Sequence, residues 1–431
     1  RPLMQHQIDA IKFALVKRQV LWALKMGLGK TLAAITLADI VNLEWWLVAP
    51  PYTQKTWKYE FYKWRARNLP TVITTFESLQ KYVEALDKPP PMVVFDESIK
   101  LKNPNAQRSM VAYDLCKHMR RVYGSNAPYI ILLSGAPSPK DPLEWWHQIR
   151  CIAPGFIKEG TIHSFKRRVA QIETQAGEYG NYPKIVGWWQ DEITKVNKQL
   201  SLVVISRDKK ECLDLPDKIF DVIKCEPSQS MLEVKEVLLE LAETPLQALE
   251  FLRELSDGFK YKHSDKIIVG YDEFVSPKEQ ALKELLEFYG DQETNPMARL
   301  VIYAAFKASL EKIERICKEQ SWPVARVSDR DLLTRFSDGT ISRLAVVANP
   351  GTIHGLNFTE SNALIYYSNS FNRDARVQSL ERSDRIGRKE ASRIVDLVCL
   401  DQDQLILDKL NTGINMQEVS LNDIRNYKYE R

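Results

Sequence analysis

The chain has no apolar run of the ~18–20 residues needed to cross a bilayer, no C-x-x-C pair, no low-complexity tract and no short-period repeat. The first absence leads us to expect no membrane span. The second argues against a zinc site. The six cysteines (Cys116, Cys151, Cys212, Cys225, Cys317, Cys399) are scattered, as free thiols of a reducing cytosolic setting would be. The opening residues, Arg1-Pro2-Leu3-Met4-Gln5-His6-Gln7, contain no basic-then-apolar leader and no initiator Met at position 1. The expectation is a fragment or a processed chain without a secretory signal. A net charge of +4 over 431 residues is small, and permits nucleic-acid binding through local patches without demanding it. With 44% hydrophobic and 27% charged residues, the composition is that of a soluble globular protein, and the length suggests two or three domains.

What is present is concentrated in a few segments. Gly27-Leu28-Gly29-Lys30-Thr31 follows the apolar run Val20–Leu24 and precedes the helical pattern Leu32–Ala38. Strand, glycine loop, helix is the context in which backbone N–H groups cradle a triphosphate, a lysine reaches its outer phosphates and a threonine hydroxyl ligates Mg²⁺. The apolar run Met92–Phe95 ends in Asp96-Glu97. A buried strand delivers such carboxylates to the sheet edge where open α/β sheets bind ligands. Asp96 is then suited to hold the metal, and Glu97 to polarise an attacking water. The pair of segments points to nucleoside triphosphate hydrolysis.

Short apolar runs recur between helical patterns: Trp45–Ala49, Thr71–Ile73, Met92–Phe95 and Tyr129–Leu133, then Arg299–Tyr303, Leu344–Ala348, Ala363–Tyr367 and Ile394–Val398. This predicts two α/β units, each a parallel sheet flanked by helices, with the phosphate loop in the first. A helix is expected over Ser309–Glu319. Residues about 145–200 and about 228–265 read as helical insertions, and the charged stretch Arg207–Lys218, with Pro216, reads as a connector. The expected division is 1–205, a linker at 206–222, and 223–431. The tryptophan pairs Trp45-Trp46, Trp145-Trp146 and Trp188-Trp189 cannot both face one groove, so core packing is expected for most of them.

Taken in order, these segments resemble the paired RecA-like motor of superfamily-two helicases, specifically the Swi/Snf-like branch of double-stranded DNA translocases. The resemblance covers nearly the whole chain. His6-Gln7 resembles the glutamine element that reads adenine. Lys25 through Thr31 matches the M-G-L-G-K-T core, and Leu47 through Pro51, with Thr56-Trp57 and Trp64, matches the segment after it. Asp96 through Asn103 resembles D-E-A-H-x-x-K-N, with Ser98-Ile99 in place of the last two letters of the tetrad. Leu133 through Pro137 stands for L-T-G-T-P, and Arg207 through Lys218 resembles the basic interlobe linker. Ile353 through Thr359 resembles G-x-G-L-N-x-T, and Gln378 through Arg388 resembles Q-x-x-D-R-x-x-R-I-G-Q. Leu24-Lys25 stand where the family has an acidic pair, and His354 is a further departure, for which packing is the expected role.

The resemblance implies two RecA-like P-loop lobes with ATP and Mg²⁺ as cofactors. Gln7, Gly27, Gly29, Lys30, Thr31, Asp96 and Gln378 are the expected nucleotide contacts, Thr31 and Asp96 the metal residues, and Lys30, Glu97, Arg382 and Arg385 the catalytic set. The two arginines lie three apart on one helix face, where guanidinium groups can stabilise charge on a transferring phosphoryl. Duplex DNA is the implied partner, held without base readout by Pro50, Lys55, Thr75, Ser134, Gly135, Lys307, Gly355 and Asn357, on the face opposite the nucleotide. Alternatives are a strand-separating helicase on DNA or RNA, or a motor subunit whose protein partner supplies a nuclease or modification activity. The compactness resembles bacterial or phage members, implying a cytoplasmic setting, or a nuclear one in a eukaryote.

Overall fold

The computed structural model describes residues 2–125, 127–135, 137–138, 141–177, 180–213, 216–264, 267–291, 293, 295, 297–353, 356–384, 388, 391–412 and 420–427. The chain divides into two compact units, 1–214 and 215–431.

In the first unit, β1 (Gln19–Leu24), β2 (Trp45–Val48), β3 (Val72–Thr74), β4 (Met92–Asp96) and β5 (Tyr129–Ser134) are joined by helices. After them come a hairpin of β6 (Ala170–Gly177) and β7 (Gly180–Trp188), and β8 (Val204–Arg207). Six strands form one parallel sheet in the order β3-β2-β4-β5-β1-β8. Alternate residues feed opposite faces, as the two-residue period of a strand requires. Val20, Trp22, Trp45, Leu47, Ile131 and Leu133 enter one core, and Leu21, Ala23, Trp46, Val48, Ile130 and Leu132 the other. Trp45 and Trp46 are thus both buried, on opposite sides of β2. Each such aliphatic side chain stabilises the fold by about 1.5–3 kcal/mol, which is why these unbroken apolar runs become central strands.

The second unit repeats this plan. It contains β9 (Ile219–Lys224), a hairpin of β10 (Phe259–Ser264) and β11 (Ile267–Glu273), then β12 (Ala298–Tyr303), β13 (Val324–Ala325), β14 (Arg343–Ala348), β15 (Ala363–Tyr366) and β16 (Arg393–Val398). The parallel sheet runs β13-β14-β12-β15-β16-β9. Leu300, Ile302, Val347 and Ile365 face one core, and Val301, Tyr303, Val346 and Leu364 the other.

Three expectations need correction. The linker does not span 206–222: β8 pairs with β1 through Arg207, and β9 pairs with β16 from Ile219. Backbone pairing at two sheet edges takes both ends of that stretch, 206–207 and 219–222, although its charge reads as a connector. The insertion at 145–200 is not wholly helical, because the β6–β7 hairpin lies within it; Gly177 and Gly180 flank its turn. The β10–β11 hairpin likewise takes the end of the second insertion, where Ile267-Ile268-Val269 favour a strand. Among the described residues no helix is long and apolar enough to cross a membrane.

Candidate nucleotide site and nucleic-acid contacts

Because all six strands of the first sheet are parallel, their C-terminal ends lie along one edge. The phosphate loop leaves β1 there and turns into the helix Lys30–Val41. Two glycines make the turn: Gly27 has φ of 87° and Gly29 of 72°. Gly29 caps the helix in the left-handed region, and a Cβ added to it would stand 2.2 Å from Gln7 Nε2. Lys30 Nζ donates to the carbonyls of Leu24 (2.7 Å) and Lys25 (3.5 Å), folding back along its own loop. Thr31 is the second residue of the helix.

Gln7 is buried, and its amide is committed on both sides. Its Oε1 accepts from Met4 N–H at 3.0 Å, and its Nε2 donates to the carbonyls of Leu28 (3.1 Å) and Gly29 (3.4 Å). The hydrogen bond with His6 Nε2 as donor also ends on Leu28 O, at 2.8 Å. Gln7, expected to read adenine, thus also braces the phosphate loop through the Leu28 and Gly29 carbonyls.

Asp96 ends β4 as a buried carboxylate. Trp57, from the helix Pro51–Lys63, donates its indole N–H to Asp96 Oδ2 at 2.8 Å, and Glu97 N–H donates to Oδ1 at 3.0 Å. Burial pushes the Asp96 carboxyl above its ordinary range, and the Trp57 bond, the Lys30 charge and the Glu97 N–H oppose that rise. Glu97 adopts φ 55°, ψ 53°, a left-handed conformation that disfavours a residue with a Cβ. It caps the short 3₁₀ turn Ser98–Leu101.

Between β4 and β1 lies β5, so its end meets both segments. A Cβ on Gly135 would approach Met26 Cγ to 3.0 Å, Met26 N to 3.4 Å and Lys30 Nζ to 3.6 Å. Ser134 is buried, and pairs in register with Ala23. Ser134 and Gly135, expected on a nucleic-acid face, thus belong to the phosphate-loop end, because the strand order puts β5 beside β1. Pro50 and Thr75 end β2 and β3 on the same edge rather than an opposite face. β2 lies three strands from β1, roughly 14 Å at strand spacing. Pro50 is buried as the cap of the helix Pro51–Lys63, whereas Lys55 is exposed on its first turns. Thr75 Oγ1 accepts from Ser78 N–H at 3.1 Å.

In the second unit the helix Arg373–Ser383 carries Gln378 and Arg382. Arg376 fastens it: its two terminal nitrogens donate to the two Asp396 oxygens at 2.8 and 2.6 Å, and its guanidinium lies 3.5 Å from the centre of the Tyr366 ring. Arg382 shares the buried face with Arg376 and Ser379. Its charge counters the rise that burial imposes on the Tyr303 hydroxyl, which ends well above its ordinary range. Arg382, expected as a finger arginine, is buried, because residues 376, 379 and 382 fall on one helix face. Gln378 is half-buried. Arg385 and Gly355 lie outside the described residues, as does His354. Arg388, where the resemblance has a glutamine, donates to the carbonyls of Thr359, Ser361 and Ala391 at 2.8–3.1 Å. Asn357 Oδ1 accepts from Thr359 N–H (3.2 Å) and Oγ1–H (2.6 Å), shaping its own turn. Lys307 opens the helix Lys307–Glu319 with a side chain 84% exposed, 3.6 Å from Glu311.

Two residues bonded to this site are absent from the sequence-derived set: Trp57, and Gln148 of the helix Glu144–Ile152, whose contacts are taken up below. Only the resemblance around Thr56-Trp57 hints at the first. Among the described residues no cluster of three or more His, Cys, Asp or Glu side chains could hold a metal by itself.

Residues 63–240 match the SNF2-related domain. The chain is 25% identical over 92% of its length to "SWI/SNF-related matrix-associated actin-dependent regulator of chromatin subfamily A-like protein 1" of Xenopus tropicalis, of which it covers 42%. It is 23% identical over 97% of its length to the human "DNA annealing helicase and endonuclease ZRANB3", of which it covers 40%. It thus spans less than half the length of these relatives. The helicase domain of Pyrococcus furiosus Hef has a similar fold, with a TM-score of 0.56 at 13% identity over 95% of this chain and 100% of that one. The SNF2-related match over residues 63–240 and these relatives make the chain a homologue of the SWI/SNF-related ATPases.

Proposed function

We propose that this chain is the ATP-hydrolysing motor of a duplex-DNA translocase. The observation that carries the reading is the convergence at one sheet edge of the phosphate loop, the Asp96-Glu97 end of β4 and the Gly135 end of β5. The donor set fits a nucleotide with Mg²⁺. Two left-handed glycines and a helix N-terminus suit phosphate oxygens, and the Thr31 hydroxyl and Asp96 carboxylate are the hard oxygen donors that Mg²⁺ prefers. When bound, the metal supplies neutralisation of the phosphate charge. Gly27 and Gly29 open backbone N–H groups to the phosphates. Lys30 exchanges its loop carbonyls for phosphate oxygens, and Trp57 holds Asp96 in one orientation. Glu97, aimed by its left-handed turn, orients a water and accepts its proton.

Of the two arginines, Arg385 is the one we assign to the transferring phosphoryl, since Arg382 is buried on the helix face that carries Arg376 and Ser379. Such an arginine is worth about 10³–10⁵ in rate. The DNA assignment draws on the family and on the exposed cations Lys55 and Lys307, with Pro50, Thr75 and Asn357 shaping the adjoining turns. Binding to phosphates without base readout should weaken as salt rises.

The test is ATP hydrolysis with no nucleic acid, duplex DNA, single-stranded DNA and RNA, with Glu97→Gln as control. Stimulation chiefly by duplex DNA, abolished in the variant, is the expected result. Stimulation chiefly by single strands or RNA would replace the translocase reading with a strand-separating one, and no hydrolysis under any condition would overturn the motor reading.

A further inference from the structure

Immediately behind Glu97 sits Ser98, fully buried, where the family pattern has a small residue. Its hydroxyl donates to Gln148 Oε1 at 2.8 Å. The other end of the same carboxamide, Nε2, donates to Pro137 O at 2.6 Å and to Glu144 O at 2.9 Å. Gln148 is itself fully buried, fifty residues away from Ser98 in sequence. One turn earlier on the same helix face, the Glu144 carboxylate meets Lys102 Nζ at 2.5 Å, just past the far end of the 3₁₀ turn that Glu97 caps. The helix Glu144–Ile152 therefore grips the segment after Asp96 at two points. Through Pro137 it also holds the chain two residues after Gly135, where an added Cβ would meet Met26 and Lys30.

We infer that Gln148 is a positioning residue for hydrolysis: its single amide sets the Glu97 turn and Pro137 in register with each other. The inference rests on the ATPase reading above. Two features separate this role from ordinary core packing. A left-handed Glu97 needs its neighbours to hold it, since a strained backbone persists only where its surroundings over-determine it. In addition, the two ends of Gln148 bond two different segments, so a displacement of either is transmitted to the other. A leucine of similar size would fill the space and transmit nothing.

The experiment is steady-state ATP hydrolysis with duplex DNA by the full chain, comparing wild type, Gln148→Leu, Ser98→Ala and the double variant. Equilibrium binding of a non-hydrolysable ATP analogue is measured alongside. Residues that orient catalytic groups from behind typically change activity by about 10–100-fold. The expected result is a fall in kcat of about tenfold or more for Gln148→Leu and a smaller fall for Ser98→Ala. KM and analogue affinity should change by less than about threefold, because the loss would lie in the transition state. The double variant should be no slower than Gln148→Leu, since both changes cut one link. Wild-type kcat in both single variants, or falls that multiply in the double variant, would overturn the inference. Ser98→Ala removes one oxygen and keeps the test available should Gln148→Leu fail to fold. An inactive wild type would instead strike the ATPase reading itself.

Discussion

The two units have the same sheet plan but hold their chemistry-bearing segments in different ways. In the first, the fastenings at the phosphate-loop edge are largely hydrogen bonds of uncharged side chains: the Gln7 amide donating to the loop, the Trp57 indole donating to Asp96, and the Gln148 amide accepting from Ser98 behind Glu97. In the second they are buried ion pairs. Lys278 meets Asp257 at 3.2 Å and Asp403 at 3.1 Å, Lys312 meets Glu279 at 2.8 Å, and Arg376 meets Asp396 at 2.6 Å. A neutral hydrogen bond contributes about 0.5–1.5 kcal/mol net and can exchange partners at small cost. A buried ion pair costs about 3–5 kcal/mol when one partner is removed, because the other charge is left in the core. The first unit thus holds its loops by bonds that can exchange, whereas the second locks a helix, Arg373–Ser383, against its sheet.

The sharpest way to break this contrast is to remove a charge from the second unit. Lys278→Met leaves Asp257 and Asp403 buried without their cation, and should lower stability by about 3–5 kcal/mol in urea or guanidinium unfolding. A loss below 1 kcal/mol would show that these pairs do not fasten the unit. Trp57→Phe keeps the ring but deletes a hydrogen bond to a charged group. It should cost about 1.5–3 kcal/mol and raise the Mg²⁺ concentration needed for half-maximal hydrolysis, read from a metal titration. Gly29→Ala forces a Cβ into a left-handed residue and onto Gln7. It should cost about 1–2 kcal/mol and weaken ATP binding, measured by calorimetry.

The smallest effect concerns His147, beside Gln148. Its Nε2 donates to Ser109 O at 3.0 Å, while Nδ1 is buried without a hydrogen-bond partner. Burial, with a smaller contribution from Arg150, lowers its pKa below 6.5, outweighing the Ser109 bond. The unfolded chain therefore takes up the proton first. Stability from this group is present above about pH 6.5 and is lost as the pH falls from there toward the lower folded value. His147→Gln should flatten that part of the stability profile, as followed by thermal unfolding between pH 7.5 and 5.5. An unchanged slope would remove His147 as its source.

Much of this was legible in the sequence. The alternating apolar runs identify the central strands, and strand–glycine–helix order locates Gly27, Gly29 and Lys30. Asp96-Glu97 announces itself by following four apolar residues. What could not be read is what acts across the chain: Trp57 reaches Asp96 over 39 positions, Gln148 reaches Ser98 over 50, and Arg376 reaches Asp396 over 20. No local period encodes such pairs. The same limit applies to Arg382, whose spacing from Arg385 suggests a finger and whose spacing from Arg376 and Ser379 puts it on the buried helix face. It also explains Ser134 and Gly135, because strand order, not sequence order, sets β5 beside the phosphate loop. The end of β8, Ser206-Arg207, reads as linker in the sequence, and its pairing with Ala23-Leu24 of β1 makes it strand.

The central claim is that ATP hydrolysis at the β1–β4–β5 edge drives movement along duplex DNA. Displacement of a third strand annealed to duplex DNA tests it most directly. The account predicts ATP- and Mg²⁺-dependent release of the third strand with the duplex left intact, and no release by Glu97→Gln. ATP-dependent hydrolysis without release, or release accompanied by separation of the duplex strands, would contradict it.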